Sequence, residues 1–205
     1  MNGFAGTVAR GVRHAGERLA HPFRLRAALR RLSRRPTPRV VLVVCHGNLY
    51  RSPYAAARLR QRFAAPSGSG VRVTSAGFIG PGRSCPEVAV AVAAGRGLDL
   101  SGHRSELLTP AVVQAADFIV VMDTAQRWGI RALFGRHPDD IVLLGDLDPE
   151  PIQTRGIQDP LDLQKETFER VYGRIDRCVG ALVRTLSASA EPVRGDSTGR
   201  RERSA

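Results

Sequence analysis

A continuous apolar run, Val40–Val44, constrains the fold of this chain more than any other feature. Its sequence, Val-Val-Leu-Val-Val, lacks the alternation of apolar and polar residues that a half-exposed strand shows. Such a run is typical of a strand buried on both faces, which requires a parallel sheet covered by helices on both sides. The run therefore predicts an α/β fold.

The segments after this run alternate between strand and helix patterns. The predicted strands are Val40–Val44, Val71–Ser75, Phe118–Met122 and Ile141–Leu144. Four helices are predicted. The first has Ser52 as its cap and Pro53 in its first turn, and the second starts at Pro86. The third runs from after Met122 through Leu133, and the fourth spans Leu163–Leu186. Because alternating strands and helices imply right-handed crossovers, we expect a four-stranded parallel sheet flanked by helices on both faces, with a loop after strand 1.

Both ends of the chain differ from this core in composition. Residues 1–38 form a basic, Arg-rich N-terminal extension with nine arginines and one acidic residue, Glu17, and carry +8 of the formal net charge of +12. Pro22 interrupts a rough amphipathic pattern there. The segment is interpreted either as a partly helical, solvated leader or, because basic residues flank Leu and Phe, as a helix that binds a membrane surface or a polyanion. In both cases removal of residues 1–38 should leave turnover intact. The main domain is expected over residues 39–187, followed by a disordered tail, 188–205.

The cysteine content and charge distribution bear on location and partners. Cys45, Cys85 and Cys178 are too widely spaced for a disulfide framework or a paired metal motif. No run approaches the roughly 20 apolar residues of a membrane span, and no secretory signal is evident. A reducing, cytoplasmic location is expected. Since most of the excess charge lies in the N-terminal extension, nucleic acid binding is not expected.

The residues that follow the first strand are suited to binding a phosphoryl group. They are Cys45, His46, Gly47, Asn48, Leu49, Tyr50, Arg51 and Ser52. Loop amides and the N-terminus of a helix carry partial positive charge, and Gly47 permits a tight turn. Arg51 can present a planar fork to two phosphoryl oxygens, and this environment favours the thiolate form of Cys45. Cys45 is therefore the candidate nucleophile for a two-step phosphoryl transfer.

A thiolate nucleophile also needs a proton donor for the leaving group. Asp159-Pro160 lies in a turn-rich segment just before the last predicted helix, close to where the other strand ends should meet. Asp159 is the candidate general acid, although an Asp-Pro pair alone more often starts a turn or caps a helix.

The ordered motifs of this chain resemble those of the low-molecular-weight protein tyrosine phosphatases. The resemblance runs from Val40 to about Leu186 and rests on an ordered set of short matches. These are Cys45-x-Gly-Asn-x-x-Arg-Ser-Pro53, Ser75-Ala-Gly77, Gly97-Leu-Asp-Leu followed by His103-x-Ser105, Ala116-Asp-Phe-Ile-Val-Val-Met-Asp123, and Asp159-Pro160 before an amphipathic helix.

The resemblance implies a metal-free and cofactor-free cysteine phosphatase. It makes Cys45 the nucleophile, Arg51 the phosphoryl-binding residue, and Asp159 the general acid and later the base. Asn48, Ser52, Ser75 and His103 would form a hydrogen-bond network that shapes the loop and supports the thiolate, and Ser52 would be a hydrogen-bond donor to sulfur as well as a helix cap. The implied substrate is a phosphotyrosine protein, such as a bacterial tyrosine kinase or an exopolysaccharide-pathway protein, and residues 1–38 would give peripheral contact with an anionic membrane.

Two positions depart from the family pattern. Tyr50 stands where many relatives carry a second cysteine, so a protective disulfide with Cys45 is not expected. Leu161 replaces the usual aromatic residue after Asp-Pro, which leaves the preference for phosphotyrosine open.

Asp123 is interpreted as a cap of the helix after the third strand. Trp128 is equally compatible with a cleft wall and with buried packing.

Three alternatives to a phosphotyrosine phosphatase remain at this point. A small-molecule phosphomonoester is an alternative substrate, favoured by Leu161. Arsenate reduction needs further cysteines after Met122, and that segment offers only Cys178, far along the last helix. A non-catalytic phosphopeptide-binding module would be favoured only if Cys45, Arg51 or Asp159 were missing.

Overall fold

The computed structural model describes the backbone of residues 3–64 and 70–188 and the side chains of residues 15–64 and 70–188. Its centre is a parallel four-stranded sheet in the order β2-β1-β3-β4. The strands are β1 Val40–Cys45, β2 Arg72–Gly77, β3 Phe118–Val121 and β4 Ile141–Leu143. The predicted fold class and all four predicted strands are confirmed.

Side chains of β1 alternate between two separate cores, which explains why its sequence is apolar throughout. Val41, Val43 and Cys45 point into one core, and Leu42 and Val44 point into the other. All five are at most 2% exposed. A strand at the centre of a sheet that is covered on both faces has no polar side, as its sequence predicted.

Helices cover both faces of the sheet. They are α1 Gly3–Ser33, α2 Arg51–Phe63, α3 Glu87–Ala94, α4 Pro110–Gln114, α5 Thr124–Phe134 and α6 Lys165–Ala188, with two short 3-10 helices at Pro138–Asp140 and Leu144–Leu147. Residues of α1, α2, α3 and α6 belong to the first core, and those of α4 and α5 to the second. The four predicted helices correspond to α2, α3, α5 and α6. Helix α4 and the 3-10 helices are too short to produce a periodic sequence signal.

The N-terminal helix α1 packs onto the domain, which differs from the solvated leader that the sequence allowed. It contacts α6 and the 3-10 helix Leu144–Leu147. Leu32 is 1% exposed, and the Nε2 atom of buried His21 lies 2.8 Å from the carbonyl oxygen of Asp148. Pro22 lies inside α1 without ending it, so the predicted interruption was wrong. Tertiary contacts on both sides of Pro22 offset the loss of helix stability that proline causes inside a helix.

The C-terminal end of the described chain coincides with the end of α6. The predicted disordered tail, 188–205, lies outside the described residues except for Ala188. Among the described helices, none combines the length and apolar character needed to cross a bilayer.

Candidate active site

A tight loop joins the end of β1 to the start of α2 and forms the floor of the site. Cys45 ends β1 and is buried, and α2 begins at Arg51. Within the loop, Asn48 adopts a left-handed backbone conformation with φ of 52°, which asparagine tolerates better than most residues. Gly47 and Leu49 are partly buried, and His46 is exposed. The free N–H groups at the start of α2 make this turn suited to an anion rather than a metal cation.

Gly77, the last residue of β2, allows the loop to lie directly against the sheet. A Cβ atom at this position would be 2.7 Å from the backbone nitrogen of Asn48 and 2.8 Å from the carbonyl oxygen of His46. The backbone N–H of Phe78 donates to that same carbonyl at 2.8 Å. The position of the loop therefore depends on the absence of a side chain at residue 77.

Arg83 supports the outer side of the loop. Its Nη2 donates to the carbonyl oxygens of Gly47 and Ile79, both at 3.1 Å, and its Nε donates to that of Gly80 at 3.0 Å. Nothing in the surrounding sequence distinguishes Arg83 from the other arginines of this Arg-rich chain, so no pattern predicted its role.

The hydroxyl of Ser52 contacts the sulfur of Cys45. Ser52 Oγ donates to Cys45 Sγ at 3.0 Å and accepts from Asn48 Nδ2 at 2.9 Å. The prediction that Ser52 caps α2 was wrong, because the helix begins two residues earlier and Tyr50 occupies the cap position without a side-chain hydrogen bond. The Ser52 hydroxyl is instead directed at the sulfur, where a hydrogen bond stabilises a thiolate.

Asn48 connects the loop to the segment that follows α3. Its Oδ1 accepts from the backbone N–H of Glu106, and its carbonyl oxygen lies 2.8 Å from His103 Nε2. Because a carbonyl can only accept, the Nε2 atom of His103 carries the proton, and burial lowers the pKa of His103, which favours the neutral ring. Three of the four residues predicted for the network are thus brought together. Ser75 is buried on β2, and within the described residues its hydroxyl takes no part in the network.

Arg51 lies between the loop and two carboxylates. Its Nη1 donates to the carbonyl oxygen of Ile157 at 2.9 Å and lies 3.5 Å from Asp123 Oδ2, while its Nη2 donates to Asp159 Oδ2. The guanidinium is almost fully buried, and its Nε–H has no hydrogen-bond partner among the described residues. That Nε–H is a fixed donor available to a phosphoryl oxygen.

Asp159 is held at the rim of the site with one oxygen free. Its Oδ2 accepts from Arg51, while its buried Oδ1 has no partner among the described residues. Burial raises the pKa of Asp159 above its ordinary value, although the positive charges of Arg51 and His46 oppose this. The raised pKa favours the protonated form that a general acid needs. The structure therefore brings the three predicted residues Cys45, Arg51 and Asp159 to one place.

Asp123 has a second connection besides capping α5. Its Oδ1 accepts from the backbone N–H of Gln126, so the predicted cap is confirmed. The other oxygen lies near Arg51, and the negative charge of Asp123 also contributes to the raised pKa of Asp159. No sequence pattern predicted this second contact, because it depends on how the segment before α6 returns to β3.

A cleft of about 660 Å³ leads to Arg51 and Asp159. One wall comes from α5, where Trp128 is 70% exposed and lines the cleft together with Leu133. Phe78 also lines the cleft, and its ring packs against α5 at Gly129, where a Cβ atom would be 3.1 Å from it. Of the two interpretations of Trp128, the cleft wall is therefore the one that the structure supports, whereas Leu161 is exposed and does not line the cleft.

The remaining thiols and Tyr50 have structural environments. The ring of Tyr50 packs edge-on against Phe168 of α6, with ring centroids 5.6 Å apart. Burial raises the pKa of Cys85 to about 11, with a smaller contribution from Cys45, so Cys85 stays a neutral thiol near neutral pH. Cys178 is fully buried in α6, as its helical spacing indicated.

A family model described as low molecular weight phosphotyrosine protein phosphatase matches residues 40–191. The chain belongs to this family. Among curated proteins, it is 40% identical over 155 residues to the probable low molecular weight protein-tyrosine-phosphatase EpsP of Ralstonia nicotianae, an alignment covering 73% of this chain and 97% of the relative. The family membership confirms the predicted enzyme class, a cysteine-dependent phosphatase of phosphotyrosine.

Two solved structures show how widely this phosphatase fold is used. Wzb of Vibrio vulnificus in complex with benzylphosphonate superposes with a TM-score of 0.63 at 27% identity, covering 71% of this chain and 97% of Wzb. The YwlE arginine phosphatase from Geobacillus stearothermophilus superposes with a TM-score of 0.64 at 26% identity, covering 73% of this chain and 93% of YwlE. Both alignments leave more than a quarter of this chain uncovered, and the family match begins only at residue 40, after α1.

Proposed function

We propose that this phosphatase cleaves phosphotyrosine through a cysteinyl-phosphate intermediate, with Cys45, Arg51 and Asp159 as the reacting and binding groups. The observation that carries the assignment is the buried guanidinium of Arg51, which contacts Asp159 and keeps its Nε–H free beside the loop of Cys45. In the first step the Cys45 thiolate attacks phosphorus and the bond from phosphorus to the tyrosyl oxygen breaks. Asp159 donates its proton to that oxygen, so that neutral tyrosine leaves.

The second step restores the enzyme. The Asp159 carboxylate takes a proton from a water molecule while the water oxygen attacks phosphorus. The phosphorus–sulfur bond breaks, inorganic phosphate leaves, and Cys45 returns as a thiolate stabilised by the Ser52 hydroxyl. The loop amides from His46 to Ser52 and the Arg51 fork bind the phosphoryl oxygens in both steps.

The cleft suits an aromatic phosphomonoester. Trp128 and Phe78 provide aromatic surface near Arg51, at a site where Leu161 cannot supply it. We propose a phosphotyrosine protein in the cytoplasm as substrate, such as a tyrosine kinase or an exopolysaccharide-pathway protein. Residues 39–187 would supply this chemistry.

The assay measures phosphate release from para-nitrophenyl phosphate, a phosphotyrosine peptide, a phosphoarginine peptide and an alkyl phosphomonoester, each with EDTA. We expect turnover of the phosphotyrosine peptide to exceed that of the phosphoarginine peptide and the alkyl ester, and Cys45→Ser to abolish it. Activity that survives Cys45→Ser would overturn the mechanism. A preference for phosphoarginine or the alkyl ester would overturn the proposed substrate class while leaving the nucleophile in place.

We also propose that α1 makes peripheral contact with an anionic membrane. One face of α1 packs on the domain. On its outer face Leu19 is 76% exposed and Phe23 is 72% exposed. Four exposed arginines flank these apolar residues and have no acidic partner among the described residues: Arg18, Arg26, Arg30 and Arg34. At about 1 kcal/mol for each arginine near an anionic surface, the four contribute about 4 kcal/mol, or roughly a thousandfold in partitioning.

Vesicle sedimentation tests this contact, with phosphatidylcholine vesicles that contain or lack phosphatidylglycerol. We expect binding only to the anionic vesicles, and its loss when the four outer arginines are replaced by glutamine. Arg31→Gln is the matched control, because Arg31 already pairs with Asp139 at 3.3 Å. Equal binding by the fourfold variant, or equal binding to both vesicle types, would refute the proposal.

A further inference from the structure

A network of four charged side chains connects α1 to the segment that carries Asp159. Arg24 of α1 pairs with Glu17 at 2.5 Å, and its Nε lies 3.8 Å from Oδ1 of Asp146, in the 3-10 helix Leu144–Leu147. Asp146 in turn binds Arg155 through two hydrogen bonds, at 2.9 and 2.6 Å. Hydrogen bonding to Asp146 raises the pKa of Arg155, and the charge of Glu17 adds to this shift across the network.

A second connection runs parallel to the first. Asp148 is 1% exposed, and its backbone oxygen contacts His21 of α1 while its carboxylate binds Arg174 and Arg177 of α6. Arg174 then donates to the carbonyl oxygens of Thr154 at 2.8 Å and Gly156 at 2.9 Å. Both connections thus end on residues 154–156, just before Asp159.

The backbone between Arg155 and Asp159 has little freedom to move independently. A Cβ atom at Gly145 would be 2.0 Å from the carbonyl oxygen of Arg155, so the two segments are in direct backbone contact. The N–H of Ile157 donates to the carbonyl oxygen of Met122 at 2.8 Å, and the Ile157 carbonyl accepts from Arg51. A displacement of Arg155 would therefore be transmitted to Ile157 and to the general-acid carboxylate.

We propose that α1 acts as a positioning element for the general acid, through Arg24, Asp146 and Arg155. This inference rests on the proposed role of Asp159. It departs from the expectation that removing residues 1–38 leaves turnover intact. Arg24 of α1 contacts Asp146, and Asp146 holds Arg155 in the segment that carries Asp159. None of these three side chains touches the substrate; they fix where Asp159 lies when it transfers its proton.

The test uses the fact that a general acid accelerates the reaction more when the leaving group is poor. Phenyl phosphate releases a phenol with a pKa of about 10, like tyrosine, and needs protonation, whereas para-nitrophenyl phosphate releases a much better leaving group. We expect Arg155→Ala to lower kcat for phenyl phosphate about tenfold and for para-nitrophenyl phosphate by less than about twofold. Arg24→Ala should show the same selectivity at about threefold, and Arg155→Lys should restore part of the loss.

The order of the network is tested by a double-mutant cycle. If Arg24 acts through Asp146 and Arg155, the double variant Arg24→Ala/Arg155→Ala should be no slower than Arg155→Ala alone. Arg31→Ala is the matched control: it removes another ion pair between α1 and the domain, and should leave the ratio of the two kcat values unchanged. Thermal unfolding of each variant separates positioning from loss of folded enzyme.

Three outcomes would overturn the inference. They are equal losses on both substrates, additive effects in the double variant, or a changed ratio in Arg31→Ala. Asp159→Asn in the same assay keeps the two proposals apart. If Asp159→Asn lowers kcat equally for the two substrates, the general-acid role itself fails, whereas a selective loss on phenyl phosphate in Asp159→Asn combined with any of these outcomes refutes only the role of α1.

Discussion

Replacing Gly77 with alanine places a methyl group inside the contact between β2 and the phosphate-binding loop. The new Cβ would lie 2.7 Å from Asn48 N, 2.8 Å from His46 O and 2.9 Å from Gly47 C. All three atoms belong to the backbone, so no flexible side chain can move aside. Since non-bonded atoms prefer separations of about 3.5 Å, the loop or the end of β2 must shift by about 0.7 Å.

The expected cost follows from the precision that catalysis requires. A misplacement of about 1 Å can lower a rate about a hundredfold, so a shift of this size should lower kcat/KM by about 10- to 100-fold. That corresponds to about 1.4 to 2.7 kcal/mol of lost transition-state stabilisation. Overpacking should also lower the free energy of unfolding by about 1–3 kcal/mol.

Steady-state hydrolysis of para-nitrophenyl phosphate and urea unfolding measure the two effects. Gly95→Ala is the control, because a Cβ there would have only ordinary contacts, the nearest at 3.6 Å, and Gly95 is far from the loop in sequence. We expect Gly95→Ala to behave as wild type in kcat/KM. An unchanged kcat/KM for Gly77→Ala would refute the conclusion that the missing side chain at residue 77 sets the position of the loop.

Three further substitutions test separate parts of the site. Asp123→Asn keeps an N-cap for α5 but removes a negative charge that helps raise the pKa of Asp159, so the basic limb of the kcat–pH profile should move to lower pH; an unmoved limb would contradict this. Trp128→Ala should raise KM for a phosphotyrosine peptide by about 5-fold through lost aromatic contact, with kcat nearly unchanged, and an unaltered KM would exclude Trp128 from the substrate wall. Arg83→Ala removes hydrogen bonds to the carbonyls of Gly47, Ile79 and Gly80 and should lower kcat about threefold; an unchanged kcat would show that the loop needs no support on this side.

The strand and its loop could be predicted because their information is local. The run Val40–Val44 requires burial on both faces. The residues from Cys45 to Ser52 place a thiol, a tight turn and a guanidinium together at the N-terminus of one helix. For Ser52, the expected donation of its hydroxyl to sulfur is present in the structure, whereas the expected capping of α2 was wrong. The cap lies two residues earlier, at Tyr50, whose ring packs against Phe168 of α6.

The chemistry of the site follows from a short stretch of sequence, which places a thiol and a guanidinium in an anion-binding turn at the end of a buried strand. The contacts that distant side chains make with this turn are set by the fold. It pairs Arg51 with Asp159, which is 108 residues away along the chain, and it brings α1 against the segment that supports Asp159. The physical reason is that turns and strand burial depend on neighbouring residues, whereas charged side chains find their partners only after the sheet has brought distant segments together.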